Sequence, residues 1–489
     1  MADTMRLTET DAAFIYGESV SSPMHISSVY TLDGELAFQK LLTRFEKRIH
    51  QVPAYRRKLR QIPLSIAHPV WEDDPDFDLT NHVVHHELPP GTSYEDAVDV
   101  AVELNEALLP RDRPLWRMVM ISGVPGKTLL LQQTHHAMID GASGIDLTLV
   151  LYDLDPDAGE PVAPNEPWEP EKPHAAGELL AEAVQDNMKA FSEKNPLSLA
   201  SQAVSKAQQL RRATEVMARF VAQPAITAPF NAGVVGPKRK VRWIKKSFGD
   251  IREIRRQLGG TINDVVLTVV TEAVARYLAQ KEEAASSGQY LRVMCPVNVR
   301  TEDKKGALGN EVSAIFPRLP AETLDPVQRL NAVIGEMERI KREEEAQSVT
   351  IMQESMPYMP PVAMLGTQLV GTPMDPTAAI ARMNLPVQPR VGGIRPPNVG
   401  INFVCTNVPG VQVPQYMCGL EVIDTIGLLV LTGNVGFSVT ILSYNRQLFF
   451  SFICESRLLP DLELIAAAAD DVFNELLDAA KQAAGARAG

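Results

Sequence analysis

Four cysteines in 489 residues, Cys295, Cys405, Cys418 and Cys454, are too scattered for a disulfide framework, and no CxxC pair or zinc-like spacing joins them. They read as free, buried thiols of a reducing compartment. Positive charge is also short. Lys and Arg number 47 against 60 Asp and Glu, for a net charge of −13 and a pI near 5.3. That excludes a general nucleic-acid binder, whose footprint is a basic surface, and makes any basic patch local. Long apolar runs are missing. The most apolar segment, LEVIDTIGLLVLTGNVGFSVTIL from residue 420, is broken by Glu421, Asp424, Asn434 and glycines. It falls short of the roughly 18 uninterrupted apolar residues of a membrane span and reads as two buried strands. The opening MADTMRLTETDAAFIYGES carries acids early and has no basic stretch followed by an apolar run, so no secretory signal is expected. A cytoplasmic location is expected, with any membrane contact peripheral.

What is present describes a folded protein, with 45% hydrophobic and 22% charged residues. Single cores stop growing at roughly 250 to 300 residues, so two domains are expected. From residue 22 to about 156, strand-like runs (MHISSVYTLDG, LWRMVMISG, TLLLQQTHH) alternate with helical ones (FQKLLTRFEKRIHQVPAYRRKL, SYEDAVDVAVELNEALLP). Pro- and Glu-dense residues 157–175 break the pattern, and residues 176–223 read as helix with a mildly basic face from Lys206, Arg211, Arg212 and Arg219. After QPAITAPFNAGVVGPKRK a second α/β unit begins, with strands at KVRWIKKSF, LRVMCPVNV, 399–406, 420–431, 434–444 and 447–455. Helices are expected from Asp250 to Leu258, Asn263 to about Lys281 and 324–345, with an amphipathic tail from near Asp461. The expected division is 1–160, a linker over 161–235, and 236–489.

One short stretch carries chemistry. In LQQTHHAMIDGASG (131–144), His135 and His136 stand where a strand ends, followed by Asp140 and Gly141. Histidine is the side chain whose ordinary pKa suits proton transfer near neutral pH. Asp140 could orient an imidazole or pair elsewhere to hold the loop, and Gly141 lets the backbone turn tightly. No Gly-x-Ser-x-Gly elbow lies nearby, so the histidine would act on a hydroxyl brought by the substrate. The alternative is a pair of strand-end histidines satisfied by hydrogen bonds. His82, His85 and His86 in NHVVHHELPP lack the Asp-Gly and are assigned to surface structure; no metal site is expected from them.

The His-His-x-x-x-Asp-Gly pattern is the signature of the chloramphenicol-acetyltransferase-like superfamily. The blocks LTETDAAFIYGESVSSPMHISS, PVWEDDPDFDLTNHV, RPLWRMVMISG, TINDVVLTVV, CPVNVR, LGNEVS, TNVPG and VTILSYNRQLFFSF, in that order, resemble those of bacterial wax ester synthase/diacylglycerol acyltransferases, and most of all actinobacterial triacylglycerol synthases. The resemblance runs from about residue 6 to 477.

It implies two α/β sandwich domains of the chloramphenicol-acetyltransferase (condensation-domain) type joined by a helical linker. It also implies transfer of a fatty acyl group from acyl-CoA, a substrate and not a cofactor, to diacylglycerol or a long-chain alcohol. His136 is the implied general base and His135 its support. Asp140 is the implied partner of an arginine from the other domain, for which Arg300 of CPVNVR is the candidate. Asn263 could donate to the oxyanion or, like Thr261 and Asp264, cap a helix and support the site. Pro114, Leu115 and Trp116 line a substrate channel or pack in the core. The run KRKVRWIKKSF reads as an edge strand with solvated charges or as a basic patch for membrane or CoA phosphates. Sparingly soluble acceptors imply a membrane or lipid-droplet surface. Other readings are a wax ester synthase by preference, a transferase for another hydroxyl acceptor, a carrier-dependent condensation domain, or an inactive lipid-binding paralogue.

Overall fold

The structure, a computed structural model, describes residues 5–138, 149–164, 166–193, 223–298, 312–343, 398 and 400–488. The chain starts with β1 (Met5–Arg6) and α1 (Glu9–Gly17), which begins where Thr8 accepts the Asp11 N–H at 3.1 Å. There follow β2 (His25–Asp33), α2 (Phe38–Arg48), β3 (Arg57–Arg60), β4 (Val70–Asp73), β5 (Val83–Glu87) and α3 (Tyr94–Asn105), capped by Ser93. Next come β6 (Trp116–Ser122), β7 (Lys127–His135) and α4 (Ala176–Glu193). The second half holds β8 (Arg239–Ser247), α5 (Phe248–Leu258), α6 (Ile262–Gln280), β9 (Tyr290–Asn298), β10 (Val312–Ile315), β11 (Arg318–Pro320) and α7 (Pro326–Arg342). It closes with β12 (Phe403–Pro409), β13 (Tyr416–Met417), β14 (Leu420–Leu428), β15 (Phe437–Tyr444), β16 (Gln447–Glu455) and α8 (Leu462–Ala488).

Two mixed sheets organise the fold. One runs β13-β14-β2-β7-β6-β5, the other β10-β9-β12-β15-β16-β8 with β11 also on β9. In the second, α6 is apolar on nearly every side because α5, α7 and α8 surround it, and Val265, Val269, Val274 and Leu278 pack there with Phe403, Phe437, Phe450 and Phe473. No single described helix is long and apolar enough to cross a membrane.

Several expectations change. A cut near residue 236 does not separate the sheets, because β14 leaves the C-terminal half and pairs antiparallel with β2, Ile426 against Val29 and Leu428 against Ser27. Alternating hydrophobicity marks a strand but does not say which sheet receives it. His82 is buried, not at the surface. The turn over Leu79–Asn81 carries it inward, where its ring lies between Phe77 and Trp116, its Nδ1 is 2.9 Å from the Trp116 carbonyl, and burial lowers its pKa. Asn407 to Pro409 of the TNVPG block belong to β12, and Gly410 beyond them passes so close to the Ser443 carbonyl that a Cβ would collide. The basic run forms edge strand β8, and its charges are paired with acids: Lys240 with Glu463, Arg242 with Asp99, Lys245 with Asp424 and Lys246 with Asp470. Lys206, Arg211, Arg212 and Arg219 lie outside the described residues.

Candidate active site

His135 is the last residue of β7, a strand held on both sides, and His136 follows it. Trp116 of β6 lies opposite Thr134, and His25 of β2 opposite His135. Backbone bonds fix the next step of the chain: His135 N–H donates to the Leu115 carbonyl at 2.9 Å and His136 N–H to the Met24 carbonyl at 2.8 Å.

Successive side chains on a strand point to opposite faces, so the two histidines part company. His135 turns to the face of Gln133 and His25 and is fully buried. Its Nδ1 accepts the Ala137 N–H at 3.0 Å, which leaves the ring proton on Nε2, and Nε2 stands 3.3 Å from Glu18 Oε1. Burial alone would raise the Glu18 pKa. The His135 contact and charge, the Met24 N–H and Arg111 outweigh that and hold it at about 2. His136 continues the face of Thr134 and Ile26, is only partly buried, and has Phe14 of α1 stacked on it at 3.8 Å between ring centroids and 7° between planes.

That face looks toward the other sheet. Gly427 of β14, paired with Ser28, sits so close to β15 that a Cβ would come within 2.7 Å of Thr440 Cγ2. Thr440 is paired in turn with Thr406 of β12. The sheets therefore touch at Gly427 and Thr440. Away from that contact their facing residues are half-exposed although both strands are central: Ile26, Ser28 and Tyr30 on β2, and Val404, Thr406 and Val408 on β12. His136 follows directly on the last residue of β7 and is itself only partly buried.

Pro114 and Leu115 lead into β6, where Trp116 shares the face of its partner Thr134. All three are buried, with the Trp116 ring between Tyr55 and His82 and its Nε1 donating to the Tyr55 carbonyl at 2.8 Å. Asp264 and Thr261 form a capping box at the start of α6, the Asp264 carboxylate accepting the Thr261 N–H at 2.7 Å. Asn263 takes no part in that cap; its side chain is half-buried and bonded to no described residue. Asp140, Gly141 and Arg300 lie outside the described residues. Among the described residues, no cluster of three or more His, Cys, Asp or Glu is arranged to hold a metal. Sequence reasoning missed Phe14 and Glu18 as parts of the site. Both lie in the LTETDAAFIYGES block, and the only local signal was the Thr8–Asp11 capping pattern that starts α1.

Two mixed sheets covered by helices, in contact through β14, give the chain the α/β architecture of the condensation-domain-like class. Similar structures share that architecture. The wax ester synthase/diacylglycerol acyltransferase from Marinobacter aquaeolei superposes with a TM-score of 0.65 at 20% identity, covering 98% of this chain and 100% of its own. The first condensation domain of the calcium-dependent antibiotic synthetase superposes with a TM-score of 0.57 at 13% identity, covering 97% of each. Residues 7–266 match the wax ester synthase/diacylglycerol acyltransferase catalytic domain and residues 308–477 its C-terminal domain, and the chain belongs to that family. Two Mycobacterium tuberculosis relatives bearing the name diacylglycerol O-acyltransferase are 28% and 25% identical. Each alignment covers 97% of this chain, and 90% and 96% of the relatives.

Proposed function

We propose that the protein moves a long-chain acyl group from acyl-CoA to the hydroxyl of diacylglycerol, giving triacylglycerol, and that it also esterifies long-chain alcohols. The observation that carries this is the separation of the histidines, with His136 partly exposed and stacked on Phe14 and His135 fully buried. His136 takes the acceptor's proton as the hydroxyl oxygen attacks the thioester carbonyl. The tetrahedral oxyanion receives a hydrogen bond from Asn263, whose amide the capping box leaves free, a type of contact worth about 3 kcal/mol when preorganised. Collapse then breaks the C–S bond, and the proton held by His136 leaves with the CoA thiol. Acyl-CoA is consumed as a substrate, and the chemistry calls for no resident cofactor. Asp140 pairs with Arg300 to hold the loop after the histidines.

The test is to incubate purified protein with palmitoyl-CoA and either dioleoylglycerol or hexadecanol, following thiol release and the lipid product. Product is expected with at least one acceptor, and the ratio of the two rates assigns the preferred alcohol. His136→Ala should lose at least about a hundredfold in kcat; unimpaired turnover would remove His136 from the chemistry.

Water-insoluble acceptors call for a lipid surface. On the outer side of α4, Val184 and Met188, 46% and 69% exposed and one turn apart, supply apolar contact for a peripheral association with membrane or lipid droplets on the cytoplasmic side. Co-sedimentation with phosphatidylcholine vesicles containing diacylglycerol should fall in Val184→Asp/Met188→Asp. Equal sedimentation would place the lipid contact elsewhere.

A further inference from the structure

α1 and the residue that ends it grip both histidines. Phe14 lies flat against His136, and one turn later Glu18, at the C-terminal cap of the helix, stands beside His135. The Glu18 side chain is 2% exposed, and three donors surround its two oxygens. Oε1 accepts the Met24 N–H at 3.1 Å and faces His135 Nε2; Oε2 accepts Arg111 Nη2 at 3.0 Å. The same Arg111 nitrogen donates to the Ile15 carbonyl at 2.7 Å, which anchors the guanidinium to the last turn of α1. Met24, held through its N–H by Glu18, holds the His136 N–H through its carbonyl. One carboxylate therefore bears on the ring of one histidine and on the backbone of the other.

We propose that Glu18 is a positioning residue of acyl transfer: by fixing the ring of His135 and the Met24 segment, it holds His136 in its reactive position. The inference rests on reading His136 as the base. An amide is a poor substitute for this carboxylate. Glutamine offers one acceptor oxygen to three donors, and its NH2 would confront either the guanidinium or the His135 Nε2–H. The alternative tautomer of His135 gives no relief, because a proton on Nδ1 would meet the Ala137 N–H.

The test uses the full-length protein with palmitoyl-CoA and the better of the two alcohols. Glu18→Gln should lower kcat about tenfold to a hundredfold, the scale of a small misplacement of a reacting group. Its KM for palmitoyl-CoA should stay within about twofold, since the substrate is not touched, while its melting temperature should fall, because the amide leaves buried donors poorly matched. In a double-mutant cycle with His135→Asn, the double variant should be no slower than the slower single one. Losses that multiply would show that Glu18 does not act through His135 and would overturn the proposal, as would undiminished turnover of Glu18→Gln. Wild-type protein inactive with every alcohol would overturn the acyl-transfer reading, and this inference with it. Should Glu18→Gln not fold, the imidazole 15N shifts of the wild type decide. A His135 ring protonated on Nε2 with Nδ1 bare supports the proposal, and a proton on Nδ1 refutes it.

Discussion

His25 faces His135 across β2 and β7, and it is there to pack and bond, not to titrate. Its Nε2 donates to the Asn105 carbonyl at 2.8 Å, in a layer completed by Gln133, whose amide donates to Asn105 Oδ1 at 3.0 Å. Burial, only partly offset by the bond to Asn105 and the charge of Glu18, pushes its pKa down to about 4. The sign of the consequence follows. Between about pH 6.5 and 4 the unfolded chain binds a proton that the folded chain refuses, so stability falls as pH falls through that window. The full difference amounts to about 3 kcal/mol. Urea unfolding followed from pH 7 to 4 should show this slope, and His25→Gln should flatten it. An unchanged slope in that variant would mean that His25 is protonated in the folded state. His136, one residue past the partner of His25, follows the end of β7 and is only partly buried.

At the scale of elements, a buried ion pair joins α6, α7 and the loop after β11. Arg329 Nε meets Glu272 Oε2 with both side chains fully buried. Arg329 Nη1 donates to the Pro320 carbonyl at 2.7 Å, and Glu272 also accepts the Leu324 N–H at 3.1 Å and Arg276 Nε at 3.1 Å. Arg329→Met strands a buried carboxylate and should cost about 3 to 5 kcal/mol in urea unfolding, whereas adding Glu272→Met should recover part of the loss. A double variant less stable than Arg329→Met would refute that account. These partners lie 57 residues apart, and nothing near either one in the sequence announces the other. The same distinction sets what was legible in the chain. β2, β7, β9, β16 and α6 were readable to within a residue or two, because periodicity and caps are local signals. The His-His pair could be found by its motif. Glu18 could not, since its donors come from positions 24, 111 and 135 and converge only in the folded chain. Helix α1 escaped because nine residues are too short to display a helical period.

At the scale of the molecule, two sheets do not make two independent folding units. One core is shared: Val29, Leu129 and Leu131 of the N-terminal half and Ala97, Val98 and Ala101 of α3 pack with Val241, Ile426, Leu428 and Ile453 of the C-terminal half. Ion pairs cross the same boundary, Arg242 to Asp99 and Lys238 to Glu106, but they are partly or largely exposed. Each such pair contributes at most about 1 kcal/mol, while burying a Val, Leu or Ile side chain contributes roughly 1.5 to 3 kcal/mol. The apolar layer therefore dominates, and salt at 1 M, with a screening length of about 3 Å, should leave the halves together. Separating the chain between residues 235 and 236 tests this. A fragment of 1–235 loses β14, so β2 becomes a long exposed edge beside an uncovered apolar face, a template for aggregation. A fragment of 236–489 presents β14 with no partner strand but the two-residue β13. Each should be insoluble when made alone, and co-expression should recover a soluble one-to-one complex that unfolds in a single transition. A soluble, monomeric 1–235 with a cooperative melt of its own would show that β14 is an accessory to that sheet and not a constituent of its core.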